Sequence, residues 1–597
     1  MTERPPDSKI TDPTLAAGAA LPVDHRSVFA WLVVIVAALA AWLLIYGPVR
    51  DFDFLNFDDD MFLSNNPWLK QGLSWTGIQW AFLADLPGHF SSNAEYWSPI
   101  TLLSRLFDAE VYGLDSGAFH ATSALIHLFN SALLGIALFR LTNARWHSAV
   151  VAFLFLVHPL NVEPVCWLSA RKDLLGATFF FVTLLAYAHY ARRASLGRYI
   201  LLLLSFCAAL MAKPMAVTIP LILLLLDWWP LGRWRSVSGN PRSWGRLAIE
   251  KLPIFLLAVA GAYLAIFSQR NWGAMQSTTG FPMPVRINNA LVAYVVYLRR
   301  LVWPNDLAIY YPHPGHSLPF YCGAIAAAIL VVLSIGAFLL RRRAPYLLMG
   351  WLWFGVVLGP VIGLVQIGNQ AMADRYAYTS VIGIFIAVVW AAAHLLRNQP
   401  RIGIGAAVLA ICAFTTVPAR QVLTWRNSET VFTQALAVTK ANDIAHLNLG
   451  NVYYNRGEFP TARNEYLQSL AINPTHYRVL NNLGIVEAKL GEDDSAIGHL
   501  EKALEIDPAE RSSRMALASL LVKHGREKDA ESLLRVAVAA EPGWAAPYAA
   551  LGRLYAGQKK WPAAAAMWSA YLRIHPEDPA AREALAAAQA SANYPQK

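Results

Sequence analysis

The chain has 597 residues, 56% hydrophobic and only 15% charged, a balance that excludes an ordinary soluble globule and suits a protein crossing a membrane many times. The net charge is +10, but many basic residues stand in short clusters such as "RRASLGR" and "RRRAP" between apolar segments. Clusters of that kind set membrane topology, and the patch or stripe that nucleic acid needs is missing, so nucleic acid is excluded as a partner.

In chain order, the first 25 residues are polar. The apolar run "VFAWLVVIVAALAAWLLIYGP" follows, with no cleavage-like site at its end near 48, and reads as a retained anchor. Further apolar segments predict about eleven spans in all, near 28–48, 118–140, 147–165, 174–191, 198–212, 214–230, 252–269, 319–340, 345–367, 376–396 and 402–418. The segment 286–303, "RINNALVAYVVYLRRLVW", is taken as re-entrant or interfacial. With a cytoplasmic N-terminus, the clusters at Arg140 and Arg145, Arg192 to Arg198, Arg233 to Lys251, Arg341 to Arg343, and Arg397 with Arg401 all fall inside. The first long loop, 49 to 117, carries ten acidic and three basic residues and falls outside, as does the C-terminal part. Within that loop, "SWTGIQWAFL" and "SPITLLSRLFDAEVYG" read as helices. The four cysteines, Cys166, Cys207, Cys322 and Cys412, are far apart and form neither a disulfide framework nor a zinc spacing.

Residues 441 to 576 are different: soluble, Ala-rich and periodic. Pro474, Pro508, Pro542 and Pro576 are spaced by 34; Gly450, Gly484 and Gly552 keep the register with Ala518 in the gap, and so do Ala462, Ala496, Ala530 and Ala564. Small residues where paired helices touch, on a 34-residue period, mark tetratricopeptide repeats that stack into an α-solenoid. The stretch 579 to 592 reads as a capping helix. The predicted organisation is a polar cytoplasmic N-terminus (1–27), a transmembrane domain (28–418) with a structured outer loop (49–117), and a repeat domain (419–597).

Four short motifs lie on the predicted outer side. They are "NFDDD", with Asp58, Asp59 and Asp60; "HPLNVEPVCWLSARKDLL", with His158, Glu163, Arg171, Lys172 and Asp173; "MAKPM", with Lys213; and "QIGNQAMADRYAY", with Gln366, Asp374, Arg375 and Tyr376. Arg171, Lys172, Lys213 and Arg375 break the positive-inside pattern, and an anionic partner such as a lipid phosphate explains cations placed there. Carboxylates beside cations at an apolar surface suit transfer of a group from a lipid phosphate. A carboxylate takes the proton of an acceptor hydroxyl, and arginine and lysine hold the departing phosphate. Each piece also has a plain structural reading. The aspartates suit a solvated loop, His158 a helix end, Asp374 with Arg375 an ion pair, and Lys213 a snorkelling side chain.

The motifs "NFDDDMFLSNNP", "LSWTGIQWAF", "HPLNVEPVCWLSARKDLL", "LMAKPMAVTIPLILLLLDWWPLGR" and "GLVQIGNQAMADRYAY", followed by the repeats, occur in one order. This order resembles bacterial relatives of the TMTC family, transmembrane and tetratricopeptide repeat O-mannosyltransferases of the type C glycosyltransferase superfamily. The resemblance covers nearly the whole chain. It implies an all-α polytopic bundle followed by the solenoid, and an inverting enzyme that moves mannose or another hexose from a polyprenyl-phosphate donor to Ser or Thr of an exported protein. It implies a multi-pass inner-membrane protein, with the repeats on the outer, periplasmic side binding the acceptor or a partner. By the same resemblance Asp58 is the general base and Asp59 orients the acceptor or supports the base. Arg171, Lys172, Lys213 and Arg375 bind the donor phosphate, supported by His158, Glu163, Asp173, Asp374, Gln366 and Tyr376. The resemblance implies a reaction that can proceed without a metal, and the three aspartates leave Mg²⁺ or Mn²⁺ open. The competing reading is a membrane-anchored repeat scaffold for periplasmic assembly, without catalysis. A transporter would want ionisable groups deep in the spans and matching halves, and the sequence offers few of the first and none of the second.

Overall fold

A computed structural model describes residues 25–84, 97–236, 241–271, 280–399 and 415–593. Most of the polar N-terminus and most of the eleventh predicted span, 402–418, lie outside the described residues. The helices of the first part, in order, are α1 His25–Tyr46, α2 Trp75–Leu83, α3 Pro99–Tyr112, α4 Ser116–Thr142, α5 Arg145–Val157, α6 Val162–Cys166, α7 Arg171–Arg192, α8 Leu196–Ala212, α9 Ile219–Trp228, α10 Arg233–Ser236, α11 Pro241–Asn271, α12 Met283–Val302, α13 Phe320–Leu340, α14 Pro345–Leu358 and α15 Ala377–Leu395. Two short strands, β1 Tyr311–Pro312 and β2 Gln370–Met372, pair antiparallel.

Six runs among the described residues are long and apolar enough to cross a membrane: Phe29–Asp51, Ser116–Thr142, Leu168–Arg192, Gly245–Arg270, Phe320–Leu340 and Asp374–Leu395. The count of eleven drawn from the sequence is therefore not matched. The predicted span 147–165 is broken, because α5 ends at Val157 and the chain turns by 60° before Pro159–Cys166. Pro159 has no N–H for a continuing helix and opens the next turn instead. The segments predicted at 198–212, 214–230 and 345–367 are apolar helices of 10–17 residues, short of the ~20 residues that span a bilayer unaided. Pro214 separates the first two at Lys213. Helix α12, predicted not to span, is not among the six runs and buries Arg286, Asn288, Asn289 and Arg300.

The described parts of the first loop are folded. Ser74 caps α2 by accepting from Gly77 N at 3.0 Å, Pro99 opens α3, and Asp115 caps α4 through Ala118 N at 2.6 Å. Trp80, Leu102, Leu106, Phe119 and Leu168 form a small core under these helices, separate from the main one. Thr101 Oγ1 of α3 donates to Ala212 O at 3.1 Å, which ties the loop to the end of α8.

After the lone helix Ser428–Val438 come four helical hairpins: Asp443–Asn455 with Phe459–Ile472, Tyr477–Leu490 with Asp493–Ile506, Arg511–Lys523 with Glu527–Ala540, and Ala545–Gly557 with Trp561–Ile574. Pro579–Asn593 closes the stack. The periodic glycines are crossing points. A Cβ on Gly484 would lie 2.7 Å from Leu500 Cγ, and one on Gly552 2.8 Å from Trp568 Cε2. Gly450 meets Tyr466 in the same way.

The repeats begin against the membrane part. Asp53 N donates to Arg426 O at 3.0 Å, Asn56 N to Ser428 Oγ at 2.9 Å, and Asn56 Nδ2 to Asn448 O at 2.9 Å. Asn442 Nδ2 reaches Tyr310 O at 3.3 Å. The solenoid and the first loop therefore sit at the same end of the bundle.

Candidate active site

The three aspartates differ in burial. Asp59 is fully buried; its Oδ1 accepts from Ser169 N at 2.9 Å and Ser169 Oγ at 2.6 Å, and its Oδ2 from Leu55 N at 3.2 Å. It bolts the first loop to the turn before α7. Enclosed in this way it cannot touch an acceptor, so of the two roles expected for it only support remains. Asp60 is exposed and accepts from Met61 N at 2.8 Å. Asp58 is half-buried and holds the left-handed backbone, φ 70°, that few residues other than glycine adopt. Its carbonyl accepts from Phe62 N at 2.9 Å. Among the described residues no group of three or more His, Cys, Asp and Glu side chains gathers to hold a metal ion.

Burial pushes the Asp59 carboxyl up to about 7, against the pull of Ser169, Leu55 N–H and the nearby Arg105. The ordinary value is 3.8, so between about pH 4 and pH 7 the folded chain holds a proton that the unfolded chain has released. Stability from this group is then fully present below about pH 4 and is lost as pH rises to about 7. Asp59→Asn cannot titrate. The wild-type minus variant difference in melting temperature should fall across that window and be flat above it, as read by thermal unfolding in detergent; a difference independent of pH would contradict the assignment.

The cations lie on the other side of the same turn. A cleft is lined by Asp173, Gly176, Lys213, Met215, Arg375 and Tyr378, among others. Lys213 pairs with Asp173 Oδ1, leaving Oδ2 buried without a hydrogen-bond partner among the described residues. Gly176 makes room for this: a Cβ there would stand 2.8 Å from Lys213 Cβ. Arg375 meets Glu163 twice, Nη1 to Oε1 at 2.5 Å and backbone N to Oε2 at 2.8 Å. Its guanidinium lies over the rings of Trp167 at 4.8 Å and Tyr376 at 5.0 Å. Lys172 is half-buried and close enough to Lys213 to repel its charge.

The remaining sequence candidates are structural in this geometry. Arg171, expected beside Lys213, is 1% exposed and does not line the cleft. It binds Asp108, donates from Nη2 to Phe119 O at 2.7 Å and from Nε to Ser123 Oγ at 3.3 Å, and so joins α7 to α3 and α4. A long apolar stretch with two adjacent cations cannot reveal which of them turns inward. His158 is fully buried; its Nδ1 accepts from Leu160 N at 3.2 Å and its Nε2 faces Leu301 O at 3.1 Å, as a helix-end residue would. Asp374 holds Arg300 Nη1 at 3.2 Å and Tyr311 Oη at 2.7 Å. Gln366 Nε2 donates to Gly368 O at 3.0 Å and Gln370 O at 2.8 Å, and Tyr376 Oη accepts from Gln370 Nε2 at 2.6 Å.

Sequence reasoning missed Ser169, the partner of Asp59, and Trp167. The Trp167 indole N–H donates to Phe57 O at 3.1 Å, next to Asp58, while its ring carries Arg375. It also missed Arg105, whose Nη2 donates to Ser169 O at 3.1 Å. The signal for Arg105 was a cation three positions before Asp108 on a largely apolar helix face, with Leu102, Leu106 and Ala109 beside them.

Two tetratricopeptide repeat family models match residues 442–509 and 489–554. The human Protein O-mannosyl-transferase TMTC1 is 23% identical over 487 residues, covering 73% of this chain and 55% of that protein. Protein O-mannosyl-transferase Tmtc1 of Drosophila melanogaster is 28% identical over 141 residues, 24% of this chain and 16% of that protein. The chain spans about half the length of the human relative it matches. Among solved structures, ArnT from Cupriavidus metallidurans bound to undecaprenyl phosphate is 15% identical, covering 85% of this chain and 80% of that one, with a TM-score of 0.33. That score is too low to align a site residue. Motif order, repeat matches and the human relative together show a chain similar to the TMTC proteins, with apolar helices followed by tetratricopeptide repeats.

Proposed function

We propose that the protein is an inverting glycosyltransferase that moves a hexose from a polyprenyl-phosphate carrier to a Ser or Thr hydroxyl. The donor phosphate enters the cleft between Lys213 and Arg375, with Lys172 at its edge. Asp58 accepts the proton of the acceptor hydroxyl as its oxygen attacks the anomeric carbon. The bond from that carbon to the phosphate oxygen breaks, and the growing charge on polyprenyl phosphate falls to the two cations. Attack from the face opposite the leaving group inverts the centre. The observation that carries this reading is Trp167, which holds the backbone before Asp58 with its N–H and Arg375 with its ring. Base and cation are thus positioned by one side chain, a link for which a repeat scaffold has no use.

The same reading puts the transmembrane domain at 28–418 and the repeats, at 419–597, on the outer face of an inner membrane with the N-terminus cytoplasmic. The repeats touch the first loop, and the Arg140, Arg145 and Arg341 to Arg343 clusters stand at the opposite helix ends. The repeats then bind the acceptor protein. The test is purified protein in nanodiscs with a polyprenyl-phosphate hexose and a Ser/Thr peptide, read by mass spectrometry. The expected product is a peptide heavier by one hexose, with polyprenyl phosphate released. Neither transfer nor donor hydrolysis with any hexose would sink the enzymatic reading and leave the scaffold.

A further inference from the structure

We propose that the helices Ser428–Val438 and Asp443–Asn455 at the start of the repeats are a working part of the catalytic loop, with Asn56 and Ser428 as positioning residues for Asp58. The inference rests on Asp58 being the base, and it makes the repeats more than a dock for acceptors.

Asp58 sits between two anchors. On one side Asp59 is bolted to Ser169 of the membrane part. On the other, two residues back, Asn56 is held from the repeats: its N–H goes to Ser428 Oγ at 2.9 Å and its side-chain amide to Asn448 O at 2.9 Å. Between them Phe57 stacks on Trp167 with ring centroids 5.5 Å apart and meets Phe432 of the repeats edge-on at 6.0 Å. Asp53 N–H adds a further bond to Arg426 O at 3.0 Å. A left-handed residue such as Asp58 keeps its conformation when its surroundings over-determine it, and the repeats supply contacts to the two residues before it.

The same two helices grip a second outer segment. Gln434 Nε2 approaches Leu307 O at 3.5 Å and Asn442 Nδ2 Tyr310 O at 3.3 Å. The next residue, Tyr311, donates to Asp374 Oδ2 at 2.7 Å, and Asp374 immediately precedes Arg375. One pair of helices thus holds the chain one and two residues before the base, and connects to the phosphate cation through Tyr310, Tyr311 and Asp374.

The test uses full-length protein in nanodiscs and a short peptide with one serine, too small to need the outer repeats. Ser428→Ala and Asn56→Ala each remove one tether. Ser428→Thr keeps the hydroxyl. Ser513→Ala removes a comparable buried bond, Oγ to Asn481 Oδ1 at 2.9 Å, deep in the repeats. Hydrogen exchange of the peptide covering 52–60 is read beside the kinetics. In Ser428→Ala and Asn56→Ala the loop should exchange faster and kcat should fall by roughly 10- to 100-fold, as small misplacements of reacting groups do, with KM for the lipid donor unchanged. Ser428→Thr and Ser513→Ala should match wild type. Unchanged loop exchange in both tether variants, or an equal kcat loss in Ser513→Ala, would overturn the proposal. Should Asp58→Asn prove active, the base assignment fails, and loop exchange alone decides the tether.

Discussion

Asp58→Asn should abolish most turnover while leaving the protein folded and able to bind the lipid donor. General-base contributions run at about 10²- to 10⁴-fold, and the loss should appear in kcat, since an amide of the same shape cannot take the proton. Asparagine tolerates the left-handed backbone at this position, so the loop should survive the exchange. Two neighbours calibrate the result. Asp60→Asn alters an exposed carboxylate that bonds its own neighbour, and turnover should be close to wild type. Asp59→Asn keeps one oxygen for Ser169 but turns an amide toward Leu55 N–H, so its signature is lowered stability with a smaller kinetic loss. Near-normal turnover by Asp58→Asn in the presence of donor and acceptor would remove the base from the mechanism.

How legible this arrangement was depends on the kind of signal. The repeats could be read because their spacing is a packing requirement: Gly484 and Gly552 stand where Leu500 and Trp568 of the paired helix leave no space for a side chain. The helices of the first loop could be read from their apolar periodicity, but not the face that packs: Trp75 and Phe82, expected on it, are exposed, and Trp80 is the buried one. Span number could not, because Pro159 and Pro214 break apolar runs into pieces that hydropathy alone joins or counts separately. The site was half legible. Charge against topology singled out Lys213 and Arg375, which do meet at one cleft, but it gave the same weight to Arg171, a strut between helices. Three consecutive aspartates differ in burial. What distinguishes Asp59 is Ser169, 110 positions away, and nothing local announces that contact. Trp167 was hidden for a similar reason: its role depends on Phe57 and Arg375, brought to it from both ends of the membrane part.

Arg375→Ala should cost both stability and activity, and the two losses can be separated. The guanidinium and Glu163 are nearly sealed from solvent, at 11% and 2% side-chain exposure. Removing one member of such a pair strands the other charge, a loss of about 3–5 kcal/mol. Arg375→Lys should not rescue, because an ammonium can neither lie flat on Trp167 nor present the same fork to the carboxylate. The informative variant is Arg375→Ala combined with Glu163→Gln. Glutamine keeps an oxygen for Arg375 backbone N–H, currently 2.8 Å from Glu163 Oε2, and no buried charge is left alone. Thermal stability in detergent should then recover most of what the single variant lost. Turnover should not recover, and KM for the lipid donor should stay high, because nothing replaces the cation that meets the phosphate. If the double variant regains turnover along with stability, Arg375 is a structural partner of Glu163 and the phosphate must be held by Lys213 and Lys172 without it. If the single variant is as stable as wild type, the buried pair is not formed as described.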